Sequence, residues 1–255
     1  MKTKTLLVKL AKMFPKRYAK ENHDFVGLMC GRLPENVNKI VLCLDMDESI
    51  FEDIKKINPD LVLTHHPFIY GPKSKVLKHD EKKRLLVEKM EEIGVPVYSM
   101  HTNFDTGKNG MNDALSNALG LKNVYIPESN KMMRIGYLEN PMEVHEFARF
   151  AKERLNVSYG LLIAEGKPTI NKVGIIGGGG SRDYIYALEE GCDIYISGDV
   201  PHHVRRGVVT DKFNYLDLPH EIEKIFMPQM KKILLSFDPN LEIICLDQEQ
   251  LPEII

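Results

Sequence analysis

The stretch LVLTHHP, residues 61–67, decides how this sequence folds. Leu61–Thr64 is a short apolar run typical of a buried strand, and Pro67 ends it because proline has no N–H group for a sheet. His65 and His66 therefore follow the carboxyl end of a strand, where α/β proteins build their sites. Adjacent strand residues point to opposite faces, so both imidazoles serve one site only if the backbone leaves the pleat there. The pair alone is equally compatible with one buried and one exposed histidine.

Strands and helices alternate outward from this stretch. The pattern predicts strands at 39–44, 61–64, 95–100, 131–138, 173–176, 193–197 and 241–246. It predicts helices at about 47–57, 80–93, 109–119, 141–155, 181–190 and 219–235. This alternation is typical of parallel sheets covered by helices. We therefore predict an α/β protein of two lobes: a metal-binding lobe of residues 1–126 plus 212–255, and a second lobe of residues 127–211. The lobes share a loose resemblance and no clear repeat.

Composition narrows the class of protein. The 255 residues are 43% hydrophobic and 27% charged, which is ordinary for a globular chain large enough for two lobes. The formal net charge of −2 implies no bulk attraction to nucleic acid or anionic lipid. No apolar run is long enough to cross a bilayer, and no signal-peptide pattern is present. The four cysteines are scattered without a CxxC spacing, which favours reduced thiols and a cytoplasmic protein.

Two further segments carry groups that bind cations. His101 and Asp105 follow the predicted strand at 95–100, while His220 and Glu223 begin the last helix and share one face of it. Imidazole and carboxylate donors without thiolate suit zinc, manganese, iron or cobalt. Three or four of them hold one ion, whereas five or six with two carboxylates suit two ions about 3.5–4 Å apart. Each residue taken alone has an ordinary structural explanation, but their shared placement at the ends of elements indicates a metal site.

The motifs together resemble one family. They are THHP at 64–67, HTNFD at 101–105, SGD at 197–199 ahead of a histidine, and HEIE at 220–223. In these segments, and from residue 26 to about 223, the chain resembles the Nif-three-like dinuclear metal family, also described as GTP cyclohydrolase I type 2 homologs. One departure is His23-Asp24-Phe25, where the family commonly has Trp-Asp-Asn. That difference concerns the shape of the substrate pocket rather than the metal ligands.

The resemblance implies a two-lobed Nif-three-like fold with the metal site in the cleft between the lobes. It implies two divalent metal ions per subunit, zinc, iron, manganese or cobalt, and assembly into a homohexameric ring. The implied metal ligands are His65, His66, Asp105, His220 and Glu223. Because the spacing of the late motif varies in the family, the last carboxylate ligand is either Glu223 or a neighbour. His101, beside the metals, and His203, facing the same cavity, are the implied catalytic residues.

The resulting functional hypothesis is a metal-dependent hydrolase that uses metal-activated water on a small-molecule substrate of nucleotide type. GTP comes only from the family name. The alternative is a metal-binding scaffold or regulatory interaction protein without turnover. Two features leave their own alternatives open. The glycine run at 177–180 is either a tight turn or a phosphate site, and Lys73, Lys75 and Lys78 either attract an anionic substrate or form an exposed basic loop.

Overall fold

The computed structural model describes residues 1–249 and 253, and the chain divides into two compact units. Unit 1 comprises Met1–Gly110 and Phe226–Glu249, and unit 2 comprises Met111–Ile225. The helices are α1 Thr3–Met13, α2 Lys16–Glu21, α3 Phe51–Ile57, α4 Lys73–His79, α5 Glu81–Glu92, α6 Thr102–Thr106, α7 Met111–Ala118, α8 Val144–Arg154, α9 Tyr184–Glu189, α10 His202–Thr210 and α11 Phe226–Phe237. The strands are β1 Gly27–Cys30, β2 Lys39–Cys43, β3 Leu61–Thr64, β4 Val97–Ser99, β5 Lys122–Tyr125, β6 Arg134–Glu143, β7 Leu161–Ala164, β8 Thr169–Ile175, β9 Ile194–Ser197, β10 Asn214–Asp217 and β11 Glu242–Cys245. Short 3₁₀ segments occupy Glu48–Ile50, Ser181–Asp183 and His220–Ile225.

Unit 1 contains a sheet of order β1-β4-β3-β2-β11, in which β1 is antiparallel to β4 and the other neighbours are parallel. Every residue of β3 is buried, as expected for a parallel strand covered on both faces. Ile54 of α3 and Met90 of α5 pack in the same apolar cluster as Val62 of β3. This packing puts the end of β3 at a rigid edge of the sheet.

Unit 2 contains a sheet of order β5-β6-β8-β9-β10-β7. Only its centre is parallel, because β8 pairs with β9 and β9 pairs with β10 in that sense. The α/β class and the two-unit organisation predicted from sequence are therefore confirmed.

The division of the chain differs in detail from the predicted lobes. Strand β10 lies after the predicted boundary at residue 211, yet it pairs with β9 and β7 of the six-stranded sheet. Likewise β5, which the prediction assigns to the first lobe, pairs with β6. Long-range strand pairing thus places His220, just beyond β10, in unit 2.

Pro141 does not begin a helix, which corrects the predicted start of the helix at 141–155. It lies inside β6, at the irregularity between Tyr137 and Met142 where the pairing with β8 shifts register. A proline is tolerated in a strand at such a bulge, because no ladder hydrogen bond is required of it there. Helix α8 begins at Val144. Its N-cap residue is Glu143, whose carboxylate accepts hydrogen bonds from the N–H groups of His145 and Glu146.

The two units repeat one supersecondary structure, whereas the sequence alone indicated only a loose resemblance between the lobes. The 3₁₀ segments at residues 48–50 and 181–183 lie 133 positions apart, and so do β3 and β9. The helix between them ends in each unit at a residue in the left-handed region, Asn58 with φ 48° and Gly191 with φ 72°. Residues of β2, α3 and β3 therefore correspond to residues of β8, α9 and β9 with no insertion or deletion between the two copies.

A carboxylate at the same position stabilises both copies. Asp60, just before β3, accepts hydrogen bonds from the N–H groups of Asn38 and Lys39 at 2.7 and 2.9 Å. Asp193, just before β9, accepts them from the N–H groups of Asn171 and Lys172 at 2.9 and 2.8 Å. Each aspartate thus links the start of its own strand to the neighbouring strand, because its carboxylate accepts hydrogen bonds from main-chain N–H groups there.

Candidate metal centre

The backbone leaves the strand geometry where β3 ends, as a shared site for both histidines requires. The N–H group of His66 donates to the carbonyl of Leu44 at 2.9 Å, and the Thr64 hydroxyl donates to the carbonyl of His66 at 2.8 Å. These bonds turn the chain over the end of β2. The two imidazole rings consequently lie side by side, with centroids 4.9 Å apart.

Unit 1 gathers three imidazoles and a carboxylate into one cluster. The His101 ring lies 5.1 Å from the His65 ring and 5.4 Å from the His66 ring. Each of the three histidines offers a nitrogen within 4.8 Å of the others. Nε2 of His65 lies 3.5 Å from Oδ1 of Asp105, and both side chains are buried. The cluster brings together four of the residues singled out from sequence.

Each of these histidines presents its Nδ1 to an atom that can only accept a hydrogen bond. Nδ1 of His65 donates to the carbonyl of Met100 at 2.9 Å. Nδ1 of His66 donates to Oδ2 of Asp45 at 2.8 Å, and Nδ1 of His101 donates to Oδ2 of Asp24 at 2.8 Å. The proton is therefore held on Nδ1, and the lone pair of each neutral ring lies on Nε2. Metal-binding histidines in proteins are oriented in this way.

Asp24 is the most deeply buried of these supports, with a side chain that is 2% exposed. Burial raises its pKa, but hydrogen bonds from His101, from Thr102 and from the N–H group of Phe25 outweigh burial and lower it overall. The carboxylate therefore stays ionised across the neutral range. A fixed negative charge behind His101 orients that imidazole and favours a cation at its Nε2.

Unit 2 provides a second, smaller cluster after β10. Nε2 of His220 lies 3.1 Å from Oε2 of Glu223, and its Nδ1 donates to Oδ2 of Asp199 at 2.5 Å. The hydrogen bond to Glu223 raises the pKa of His220 to about 9, burial opposes this, and Asp199 adds to the increase. Near neutral pH the metal-free ring therefore carries a proton on Nε2, the atom that would face a cation.

The glycine run makes room for this pair of side chains. Its two predicted explanations, a tight turn and a phosphate site, stay predictions. Gly178 adopts φ +63°, and a Cβ atom there would overlap Oε1 of Glu223 and lie 3.1 Å from Nε2 of His220. The 3₁₀ segment that follows is only three residues long. Gly178 is thus required by backbone conformation and by the space that the carboxylate occupies.

The donor set fits divalent transition-metal ions. Unit 1 offers three imidazole nitrogens and a carboxylate, and unit 2 offers one imidazole and a carboxylate. Nitrogen and oxygen donors of this kind suit zinc, iron, manganese or cobalt. The space left by Gly178 and the oriented Nε2 atoms are compatible with a metal ion bound at these groups.

His203 has a different environment from the other predicted residues. It lies on the first turn of α10 and is exposed. Its assignment as a catalytic residue stays a prediction.

Sequence reasoning missed the three aspartates that support the rings, Asp24, Asp45 and Asp199. Asp199 adopts φ 55°, an uncommon value for a residue with a side chain, and this was not visible in the sequence. Asp24 lies 77 residues from its histidine, and Asp45 and Asp199 each lie 21 residues from theirs. Single aspartates at strand ends and turns are too common for such pairings to be found without the fold.

No helix in the described part of the chain has both the length and the apolarity needed to cross a membrane.

Comparison with known proteins agrees with the sequence resemblance. The model of the family described as Duf34/NIF3 (NGG1p interacting factor 3) matches residues 1–252. The chain is 30% identical over 249 residues to the GTP cyclohydrolase 1 type 2 homolog of Lactococcus lactis, covering 95% of each chain. A Bacillus cereus protein related to NIF3 has a similar structure, with a TM-score of 0.86, 21% identity and coverage of 100% of this chain and 99% of the other. Reduced HcgD from Methanocaldococcus jannaschii is similar at a TM-score of 0.81 and 27% identity, over 96% and 98% of the two chains.

Proposed function

This chain belongs to the Duf34/NIF3 family, and on that premise we propose that it is a hydrolase that depends on two divalent metal ions. The proposed ligands are His65, His66 and Asp105 from unit 1 with His220 and Glu223 from unit 2, serving one dinuclear centre as the resemblance implies. The substrate class is a small molecule of nucleotide type, which follows from relatives named GTP cyclohydrolase 1 type 2 homologs.

The observation that carries the proposal is the uniform orientation of the imidazoles. Four histidines from two units each donate from Nδ1 to a carbonyl or carboxylate oxygen. A core histidine also needs a hydrogen-bond partner, but nothing requires four neighbouring histidines to engage the same nitrogen. Four rings with the same nitrogen engaged leave four Nε2 atoms suited to bind cations.

The side chains around the proposed centre would bind and orient the substrate and would exclude bulk water. When bound, two divalent ions supply Lewis acidity and a water of lowered pKa. Phe226 packs its ring 5.4 Å from the His65 ring and 5.1 Å from Phe104, which gives the buried ligands an apolar wall. Charge interactions are stronger against such a wall than in water.

His101 is the proposed proton-transfer group among the described residues. Its ring is 25% exposed, in contrast to the fully buried His65. Asp24 holds Nδ1, so Nε2 is the atom that would take up or release a proton. We keep His203 as a second candidate for this role.

Metal content tests the proposal directly. Protein purified without chelator and without a metal-affinity tag should contain two equivalents of metal per chain. We expect Asp105→Asn and Glu223→Gln each to lower that number and to abolish metal-dependent hydrolysis of GTP and other nucleotides. Glu221→Gln is the matched control, because Glu221 shares the 3₁₀ segment with Glu223 and is not among the residues grouped as ligands.

Two results would contradict the proposal in different ways. A content of one equivalent or less in the unmodified protein would remove the dinuclear centre. Full metal loading with no turnover across a nucleotide panel would remove the hydrolase and leave a metal-binding protein. Light scattering on the same preparation tests the proposed hexameric ring.

A scaffold or regulatory interaction protein is the second candidate. It is favoured by the description of the family, which refers to an interacting factor. It is also favoured by the relatives' names, which call them homologs of the enzyme. This candidate predicts that metal removal changes partner binding or assembly while no small molecule is turned over.

A further inference from the structure

Unit 1 contains a basic pocket that the proposed metal ligands do not use. Its cavity of about 540 Å³ lies beside α2 and β1, and its wall includes Lys16, Lys20, His23, Asp24, Phe25 and Lys73. Pockets of roughly 300–1,000 Å³ are the size that holds small molecules. Three lysines against one carboxylate reverse the slightly negative balance of the whole chain.

The charges of this pocket are not neutralised by the protein. Among the described residues, no carboxylate forms an ion pair with Lys16 or Lys20. These two lysines stand four apart on α2, so they share a face and repel each other. Lys73 does pair with Glu91 at 3.6 Å, but both side chains are about half exposed and such a pair is weak.

Asp24 offsets only one of the three lysine charges, and its oxygens are already engaged by donors from its own unit. They accept hydrogen bonds from Nδ1 of His101, from the N–H group of Phe25 and from the hydroxyl and N–H groups of Thr102. The carboxylate faces the interior of unit 1, and the lysine ammonium groups lie at the exposed side. The pocket therefore offers cationic donors whose natural complement is an anion.

Two further features shape the pocket for a ligand that carries a ring. Phe25 packs edge-on against Tyr70, with ring centroids 5.5 Å apart, and Tyr70 is 57% exposed. Gly27, with φ +113°, has no Cβ, and a Cβ there would lie 2.6 Å from Nζ of Lys16. The glycine thus lets the Lys16 ammonium lie against the strand, where it also faces the Tyr98 ring at 5.5 Å.

From this arrangement we infer that the pocket between α2 and β1 binds a phosphorylated compound with an aromatic ring, anchored by Lys16 and Lys20 and packed against Phe25. The lysines supply charge-assisted hydrogen bonds to phosphate oxygens. The half-buried Phe25 ring in the pocket wall supplies an apolar surface for the ring. This goes beyond the proposed function, because binding here requires neither metal nor turnover.

The test is calorimetric titration of the full chain with ADP, with GDP, with adenosine and with pyrophosphate. We expect saturable binding of the two nucleotides, weaker binding of pyrophosphate, no binding of adenosine, and weakening of all binding as salt rises. Lys16→Gln with Lys20→Gln should raise the dissociation constant for ADP about tenfold or more. The matched control, Lys55→Gln with Lys56→Gln, removes two exposed lysines of α3 in the same unit and should leave it within about twofold.

Two more variants separate the contributions. Phe25→Leu should weaken ADP binding about fivefold and leave pyrophosphate binding unchanged, because only the ring contact is lost. Asp105→Asn should leave ADP binding intact. If Asp105→Asn abolishes it, the anion binds through the metal ligands and this inference is wrong while the proposed function is strengthened. Absence of binding, or equal losses in the α2 and α3 double variants, would also overturn it.

Discussion

Units 1 and 2 place different chemistry on the same backbone. Two residues after the end of β3 unit 1 has His66, and at the equivalent position after β9 unit 2 has Asp199. His66 is oriented by an aspartate, whereas Asp199 is the aspartate that orients His220. Each unit thus contains a carboxylate–histidine pair. In unit 1 the pair follows β2 and β3, and in unit 2 it follows β9 and β10, which is one strand further along the repeat.

The loops that follow β2 and β8 also carry different residue types at equivalent positions. Asp45, after β2, supports His66, while its equivalent Gly178, after β8, leaves space for Glu223. The two carboxylates proposed as ligands also occupy corresponding positions. Asp105 follows Ser99 by six residues, Glu223 follows Asp217 by six residues, and Ser99 and Asp217 pair with equivalent residues of β3 and β9. The scaffold therefore determines where side chains converge, and the residue type at each equivalent position determines its role.

The largest expected effect comes from filling the space that only unit 2 leaves open. Gly178→Ala puts a methyl group where the Glu223 carboxylate lies, in a left-handed conformation that disfavours alanine. We expect metal binding by His220 and Glu223 to weaken by roughly 100-fold or more, as measured by metal titration. Gly191→Ala is the matched control, because Gly191 has a similar φ of +72° and no atom within 4 Å of an added Cβ. It should cost only about 1 kcal/mol of stability and leave metal content unchanged. Full metal affinity in Gly178→Ala would show that the glycine is not needed for the ligands.

An intermediate effect is expected from the supporting aspartates. Asp24→Asn, Asp45→Asn and Asp199→Asn should each lower metal affinity by about 10- to 100-fold, because each removes a charge that orients a ring. Burial sets the order: Asp24 is 2% exposed, Asp45 39% and Asp199 58%, so the loss should fall along that series. Asp47→Asn is the control, since that carboxylate caps the 3₁₀ segment through Ser49. Equal losses for all four would point to net charge rather than to orientation.

The smallest expected effect is on the free energy of unfolding, through the two repeated strand–helix–strand segments that Asp60 and Asp193 stabilise. Asp193→Asn should cost about 1–2 kcal/mol at pH 7, and Asp60→Asn should cost less, because only Asp193 also accepts from Nζ of Lys167 at 2.6 Å. Urea denaturation at several pH values measures both.

The pH dependence of that loss has a defined sign. Burial raises the pKa of Asp193, but the bonds from Lys167, Lys172 and Asn171 outweigh it and lower the pKa overall. The stabilisation is therefore complete above the unfolded value of about 3.9 and is lost as the pH falls through the lowered folded value. The difference between the wild-type protein and Asp193→Asn should shrink below about pH 4. A difference that stays constant there would contradict the assignment.

The sequence predicted the parts of the molecule that depend on local pattern. Leu61–Thr64 is a strand as predicted, because three consecutive apolar residues and a β-branched threonine shortly before a proline favour a short buried strand. The placement of His65 and His101 after strands followed from the same reasoning. His220 was predicted to begin the last helix, but it follows strand β10, which was not predicted, and lies in a 3₁₀ segment ahead of α11. The family resemblance then supplied the fold as a whole, and the structure confirms it.

What the sequence could not show depends on contacts between distant residues. Helix α10 begins at His202 after a proline and has no conspicuous capping residue. Strand β7 has no clean alternation of exposed and buried residues and is stabilised by its pairing with β10. The repeat of unit 1 in unit 2 is masked because the glycine run in one copy replaces polar and apolar residues in the other. The constant spacing of the elements and the hydrogen bonds at equivalent positions, such as those of Asp60 and Asp193, reveal it.

His65 differs from the other three histidines in one respect that bears on how such a centre changes during evolution. Its Nδ1 donates to the main-chain carbonyl of Met100, which every residue type at that position supplies. A single codon change can remove the support of His66, His101 or His220, but none can remove that of His65. Drift at the surrounding positions would therefore alter the other imidazoles first, and the geometry at His65 would be the last to be lost.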